Sequence, residues 1–115
     1  MTRERRFTLR QGADGRWRVA DARPAIQGAT RDRCIERLRQ AHPKTPLLIE
    51  AIPAVVGVAE AAAILGWDKR RVATYVARGS FPAPLATLAG GRVWALDDVR
   101  SFAEEMRTRR RASPR

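Results

Sequence analysis

Val58-Ala59-Glu60-Ala61-Ala62-Ala63-Ile64-Leu65-Gly66-Trp67-Asp68-Lys69-Arg70-Arg71-Val72-Ala73-Thr74-Tyr75-Val76-Ala77-Arg78-Gly79 is the stretch on which the fold turns. Its first eight residues have high helix propensity and set Val58, Ala61, Ala62 and Leu65 on one apolar stripe. Gly66 follows where a tight turn needs a left-handed residue. Asp68 is a good cap for a second helix, in which Val72, Tyr75 and Val76 fall at i, i+3 and i+4 and form the buried face. Gly79 ends that helix. Two short helices around a glycine turn, with cations on the exposed start of the second, are what docking into a DNA major groove requires. Arg70, Arg71 and Thr74 are expected at base or groove edges, since Arg can pair bidentately with guanine and Thr can touch a thymine methyl. Lys69 and Arg78 are expected on phosphate. Taken alone, three cations in a row are better read as an ordinary solvated helix face.

The residues downstream change that balance. Ser80-Phe81-Pro82-Ala83-Pro84 is a rigid, extended connection. Residues 85–88 and 92–96 read as two short strands around Ala89-Gly90-Gly91, a hairpin tip suited to a small wing. Gly91 and Arg92 are therefore candidates for contact with a phosphate backbone or the minor groove, although Arg92 equally fits a hairpin surface. Asp97 or Asp98 is expected to cap a last helix whose apolar face is Val99, Phe102, Ala103 and Met106. Residues 107–115 hold five arginines, no acids and a proline, and are expected to form a disordered basic tail.

Upstream, residues 5–52 read as a small α+β unit. Residues 7–10 and 17–20 both alternate apolar and polar, and Asp14-Gly15 between them is a hairpin turn signal. Thr30 caps a helix to about Ala41, with Cys34, Ile35, Leu38 and Ala41 on one face. Pro43 and Pro46 end it, and residues 47–52 are β-rich and suited to a third strand. Trp17 alternates with Val19 and is expected in the core rather than as a binding anchor. Residues 53–56 read as the boundary, so the predicted chain is α+β: a hairpin-plus-helix unit, then a winged helix-turn-helix over 57–106.

Composition sets the wider limits. Among 115 residues, 23 are Lys or Arg and 12 are acids, a formal charge of +11 that favours an anionic partner, nucleic acid first. Residues 51–106 nonetheless carry six basic and six acidic residues, so position rather than net charge must argue for DNA there. The charged N-terminus and the interruption of the longest apolar run by Pro53 speak against a signal peptide or spanning helix and predict a cytoplasmic protein with no membrane partner. One cysteine, Cys34, allows no intrachain disulfide, and no Cys/His cluster has metal spacing. His42, the only histidine, sits beside Pro43 and reads as a helix end. With no phosphate-binding Gly loop and no persuasive carboxylate pair, neither an enzyme nor a cofactor is expected.

The string VAEAAAILGWDKRRVATYVARGSFPAPLATLAGGRVWALDDVRSFAE, residues 58–104, resembles the MerR-type winged helix-turn-helix of AlpA-like regulators and phage excisionases. The matching pieces are A-E-x-A-x-x-L-G, the capped K-R-x-V, the G-x-F-P-x-P exit and G-G-R-V-W-x-x-x-D-V. The resemblance implies that Val58, Ala62, Leu65, Val72, Tyr75, Phe81, Trp94 and Val99 are scaffold, and that Lys69, Arg70, Arg71, Thr74 and Arg92 meet double-stranded DNA. Trp67 departs from the smaller aliphatic residue usual at its turn, and Asp68 from the usual Ser or Thr cap. Trp67 is expected to pack on the helix pair or on the N-terminal unit.

In the N-terminal half, D-G-R-W-x-V, Ile26-Gln27-Gly28-Ala29-Thr30 and R-D-R-C-I-E-R-L are similar to the β-β-α fold of HicB-like antitoxins. That resemblance implies a protein-protein role for residues 5–52, either dimerisation or masking of a toxin. Three functions follow as expectations: a sequence-specific transcriptional regulator, an excisionase-like architectural recombination factor, or an antitoxin-type protein with a toxin partner. One short helix reads few base pairs, so a homodimer or cooperative assembly is expected.

Overall fold

Alternation in the N-terminal strands, and helix-favouring runs stopped by glycine further on, divide the chain into two units, Met1–Ala54 and Val55–Arg115. The computed structural model describes residues 3–112, which form an α+β arrangement of four helices and two sheets.

The first unit contains β1 (Arg5–Gln11), β2 (Trp17–Val19), β3 (Gln27–Gly28), α1 (Arg31–Ala41) and β4 (Leu47–Ile52). Its sheet has the order β3-β2-β1-β4. β1 and β2 are antiparallel, with Leu9 opposite Val19, and β4 lies parallel to β1 from Arg5 opposite Leu47 to Arg10 opposite Ile52. A parallel neighbour needs a long crossover, and α1 supplies it. Period-two alternation then puts Leu9, Trp17 and Val19 on one face, where α1 covers them with Cys34 and Leu38. Trp17 is core, as its pairing with Val19 predicts. Burial pushes the Cys34 thiol above its ordinary pKa, which leaves it an apolar packing group.

The short strand β3 is absent from the sequence-based expectation, because two residues cannot display an alternation. Its necessity shows at Gly28, where a Cβ would stand 2.7 Å from the backbone nitrogen of Cys34. Only glycine lets α1 lie so close to the sheet. Thr30 caps α1 by accepting from the Arg33 amide at 3.1 Å, and Arg37 donates to the Gln27 carbonyl at 2.7 Å. Gly15, with φ at 85°, makes the turn after β1, and buried Gln11 fastens it by donating to the Gly15 carbonyl. The other end of the Gln11 amide accepts from the backbone of Ala54.

The second unit contains β5 (Val55–Val56), α2 (Val58–Leu65), α3 (Lys69–Ala77), β6 (Ala86–Leu88), β7 (Gly91–Ala95) and α4 (Leu96–Ala112). β7 is central, antiparallel to β5 on one side and β6 on the other. Val55 and Val56, expected in the boundary segment, are thus a strand of this sheet. Two β-branched residues beside a proline read as a linker until a partner strand is present to pair with them.

Both short helices end by the same device. Gly66 and Gly79 take left-handed φ values of 70° and 74°. The following residue then donates back across the end, Trp67 to the Ala62 carbonyl and Ser80 to the Tyr75 carbonyl. These Schellman closures satisfy carbonyls that the helix leaves unpaired. The Asp68 carboxylate opens α3 by accepting from the Arg71 amide at 2.8 Å.

The core of this unit is Val72, Trp94, Leu96, Val99 and Ala103 with Ala61 and Ala62. Trp94 is fully buried, and its indole N–H donates to the Pro82 carbonyl at 2.9 Å, which ties the exit segment after α3 to the central strand. Phe81 packs edge-on against Trp94 and also meets Phe102. Trp67 packs on Tyr75 and Phe102, within its own unit.

Two expectations about α4 are corrected. The helix grows straight out of β7 at Leu96, so Asp97 and Asp98 lie in its first turn instead of capping it. There they complement the partial positive charge of the helix start. It also continues through residues 107–112, which were expected to be disordered. Arginine is a good helix former, cations suit a helix C-terminus, and Arg107 pairs with Glu104 one turn earlier at 3.3 Å. Residues 113–115 of that tail lie outside the described residues. Among the described residues no helix is long and apolar enough to cross a membrane.

Candidate nucleic-acid interface

The helical period of α3 sorts its residues before any contact is considered. Val72 is buried, with Tyr75 and Val76 half-buried beside it, so the opposite face is Arg70, Ala73, Thr74 and Ala77, all exposed. Two alanines on this face keep the backbone accessible. Arg70 and Thr74 stand one turn apart, and the Thr74 hydroxyl donates to the Arg70 carbonyl at 3.0 Å. That hydroxyl can therefore accept from an outside group, while its proton is held by its own helix.

Arg78 follows at the C-terminal cap, exposed, with its backbone N–H on the Thr74 carbonyl. Lys69 is exposed in the first turn, on the flank nearer Val76. Among the described residues, Lys69, Arg70, Arg78 and Arg92 have no carboxylate partner. Their charge is available to an outside anion.

Arg71 does not join this face. Its guanidinium stands 4.2 Å from the centroid of the Trp67 ring and 5.8 Å from that of Tyr75, stacked toward α4. A cation over an indole face is held there by about 0.5–1 kcal/mol when exposed, so leaving it has a cost. The three adjacent cations of the sequence thus serve two surfaces. Adjacency along a helix separates side chains by roughly 100°, a fact that a run of like residues conceals.

The hairpin is tighter than the sequence suggested. Leu88 pairs with Gly91, so the loop is Ala89-Gly90 alone and Gly91 is the first residue of β7. Gly91 has φ at 128°, while nothing lies within 4 Å of where its Cβ would be. Its requirement is conformational. Arg92 pairs across from Thr87 and is exposed. Leu88 beside the loop is 58% exposed and Leu85 at the foot of β6 is 55% exposed. Sequence reading assigned neither a role, because an apolar residue in a strand is ordinarily taken for core. Arg107, Arg109 and Arg110 lie beyond the last large apolar position of α4, Met106, so no apolar period signals that the helix runs on; the i, i+3 spacing of Glu104 and Arg107 is the signal in the sequence.

Among the described residues no group of His, Cys, Asp and Glu could hold a metal ion. Set against models of protein families, against characterised proteins and against solved structures, the chain matches none.

Proposed function

We propose that residues 57–106 are a winged helix-turn-helix that binds double-stranded DNA as a sequence-specific transcriptional regulator. In this reading α3 enters the major groove and the β6–β7 hairpin, with Gly91 and Arg92, touches the backbone or the minor groove. The observation that carries it is the outer face of α3: Arg70 and Thr74 one turn apart, the small Ala73 and Ala77 beside them, and Arg78 beyond, none of the cations paired with a carboxylate. Arg70 reads a base edge, Thr74 lies beside it, and Lys69 and Arg78 hold phosphate. Arg71 supports the turn through Trp67.

Binding-site selection from random duplex DNA with the purified chain tests the proposal. Recovery of a defined motif whose binding weakens when Arg70 is replaced by Ala supports it; absence of any motif sinks it. A second reading, an architectural factor that bends DNA, is favoured by Leu88, because exposed apolar side chains at a hairpin tip can wedge between base steps. Circular-permutation gel shifts separate the two, since a wedge displaces mobility according to site position.

The first unit suits a protein-binding role. β4 ends its sheet with an outer edge to which no described strand pairs, and Leu48 on that strand is 44% exposed. A second copy of the chain is the occupant this edge would serve in a DNA-bound dimer. Sedimentation of the free and DNA-bound chain tests it, with a strict monomer in both as the contrary result.

A further inference from the structure

The arginine that α3 withholds from its outer face marks another surface. Arg71, stacked on Trp67, forms one wall of a half-open cavity of about 660 Å³. Leu65, Trp67 and Met106 give it an apolar lining, to which α4 adds Arg109 and Arg110. Met106 and Arg110 are one turn apart on α4 and share a face, so the cavity runs along the helix as a groove. Arg107 also borders it but is engaged by Glu104. Among the described residues Arg71, Arg109 and Arg110 have no carboxylate partner.

Apolar lining and arginines together restrict the occupant. Three guanidinium groups call for anionic oxygens in pairs, as carboxylates and phosphates both present them. The half-buried Leu65, Trp67 and Met106 call for an apolar side chain between those carboxylates. A DNA backbone would meet only the first demand, since phosphates and sugars leave an apolar lining wet. We propose that this groove docks an acidic, amphipathic peptide segment of a partner protein, with Leu or Phe side chains against Leu65, Trp67 and Met106 and flanking Asp or Glu on the arginines. The groove lies apart from the outer face of α3, so the inference does not depend on the DNA reading.

The test uses the full chain and a fluorescent synthetic peptide of glutamates flanking two leucines. A control peptide of equal charge carries serines in place of the leucines. Saturable anisotropy is expected with the leucine peptide, with binding about tenfold weaker for the serine control, a step of about 1.4 kcal/mol. Charge reversal on α4, Arg109→Glu with Arg110→Glu, should abolish binding, and Met106→Gln should weaken it several-fold. Both arginines are exposed and outside the core, so circular dichroism of the reversed variant should match the parent. Equal binding of both peptides would reduce the groove to a nonspecific cationic patch and overturn the proposal. So would failure of the leucine peptide to bind, or unchanged affinity in the reversed variant.

Discussion

The two units carry nearly the same charge and use it differently. Residues 1–54 hold twelve basic and six acidic residues, and residues 55–115 hold eleven and six. In the first unit the cations include members of internal pairs: Arg18 with Asp14 at 2.6 Å, Arg33 with Glu36, and Arg31 with Asp32. Arg37 is likewise drawn back onto the Gln27 carbonyl. In the second unit Arg107 is engaged by Glu104 and Arg71 by Trp67, while Arg70 and Arg78 share the outer side of α3 without carboxylate partners; the unpaired Arg6 and Arg10 of the first unit lie instead along a strand. The lesson is that bulk charge does not locate a binding surface. What matters is which cations the fold has already engaged, and on which face it leaves the others.

The sharpest way to break this comparison is to remove one core at a time. Trp94→Ala in the second unit should destabilise it by about 3–5 kcal/mol, the usual range for emptying a buried aromatic site. DNA binding should be lost, while amide-exchange protection in β1 and β4 of the first unit persists. In the first unit, Gly28→Ala drives a Cβ against the Cys34 nitrogen and should cost roughly 1–3 kcal/mol. Thermal melting should record that loss, and the motif preferred on DNA should not change.

Smaller changes refine the account. Arg70→Ala and Arg78→Ala should each weaken DNA binding, the first by about 1–3 kcal/mol with relaxed preference at one base pair, the second evenly across sequences. A titration of affinity against salt distinguishes the two, because only the phosphate contact lowers the salt slope appreciably. Asp68→Ala removes the cap of α3 and should cost about 1 kcal/mol of stability, visible as a lower melting temperature.

The least effect is expected at Asp14. The hydrogen bond from Arg18, joined by one from the Arg16 amide, holds its carboxyl down at about 2. A depressed folded-state pKa means the contribution is present above the unfolded value near 3.8 and is lost as pH falls from there toward 2. Carboxyl-carbon chemical shifts should place the Asp14 midpoint near 2, and Arg18→Ala should return it upward.

Much of this was written in local signals. The Gly66 and Gly79 stops, the Asp68 and Thr30 caps and the Asp14-Gly15 turn all depend on one residue meeting one backbone requirement, so they can be read in place. What stayed hidden depends on partners distant in sequence. β3 and β5 are two residues each and exist only because β2 and β7 pair with them. The start of α4 is hidden because acids in a first turn and acids at a cap look alike in a sequence. In the sequence Arg71 looks like a companion of Arg70, because the ring stack that turns it away involves Trp67, whose placement no local signal fixes.

The central claim is that the outer face of α3 chooses a DNA sequence. Parallel binding-site selection from random duplexes with the parent chain and with Arg70→Ala/Arg78→Ala measures it directly, with Arg6→Ala/Arg10→Ala in the first unit as the charge-matched control. One enriched motif is expected for the parent and the control, and for the α3 variant weaker enrichment with the preference at one base pair relaxed. An unchanged motif and unchanged enrichment in the α3 variant would contradict it.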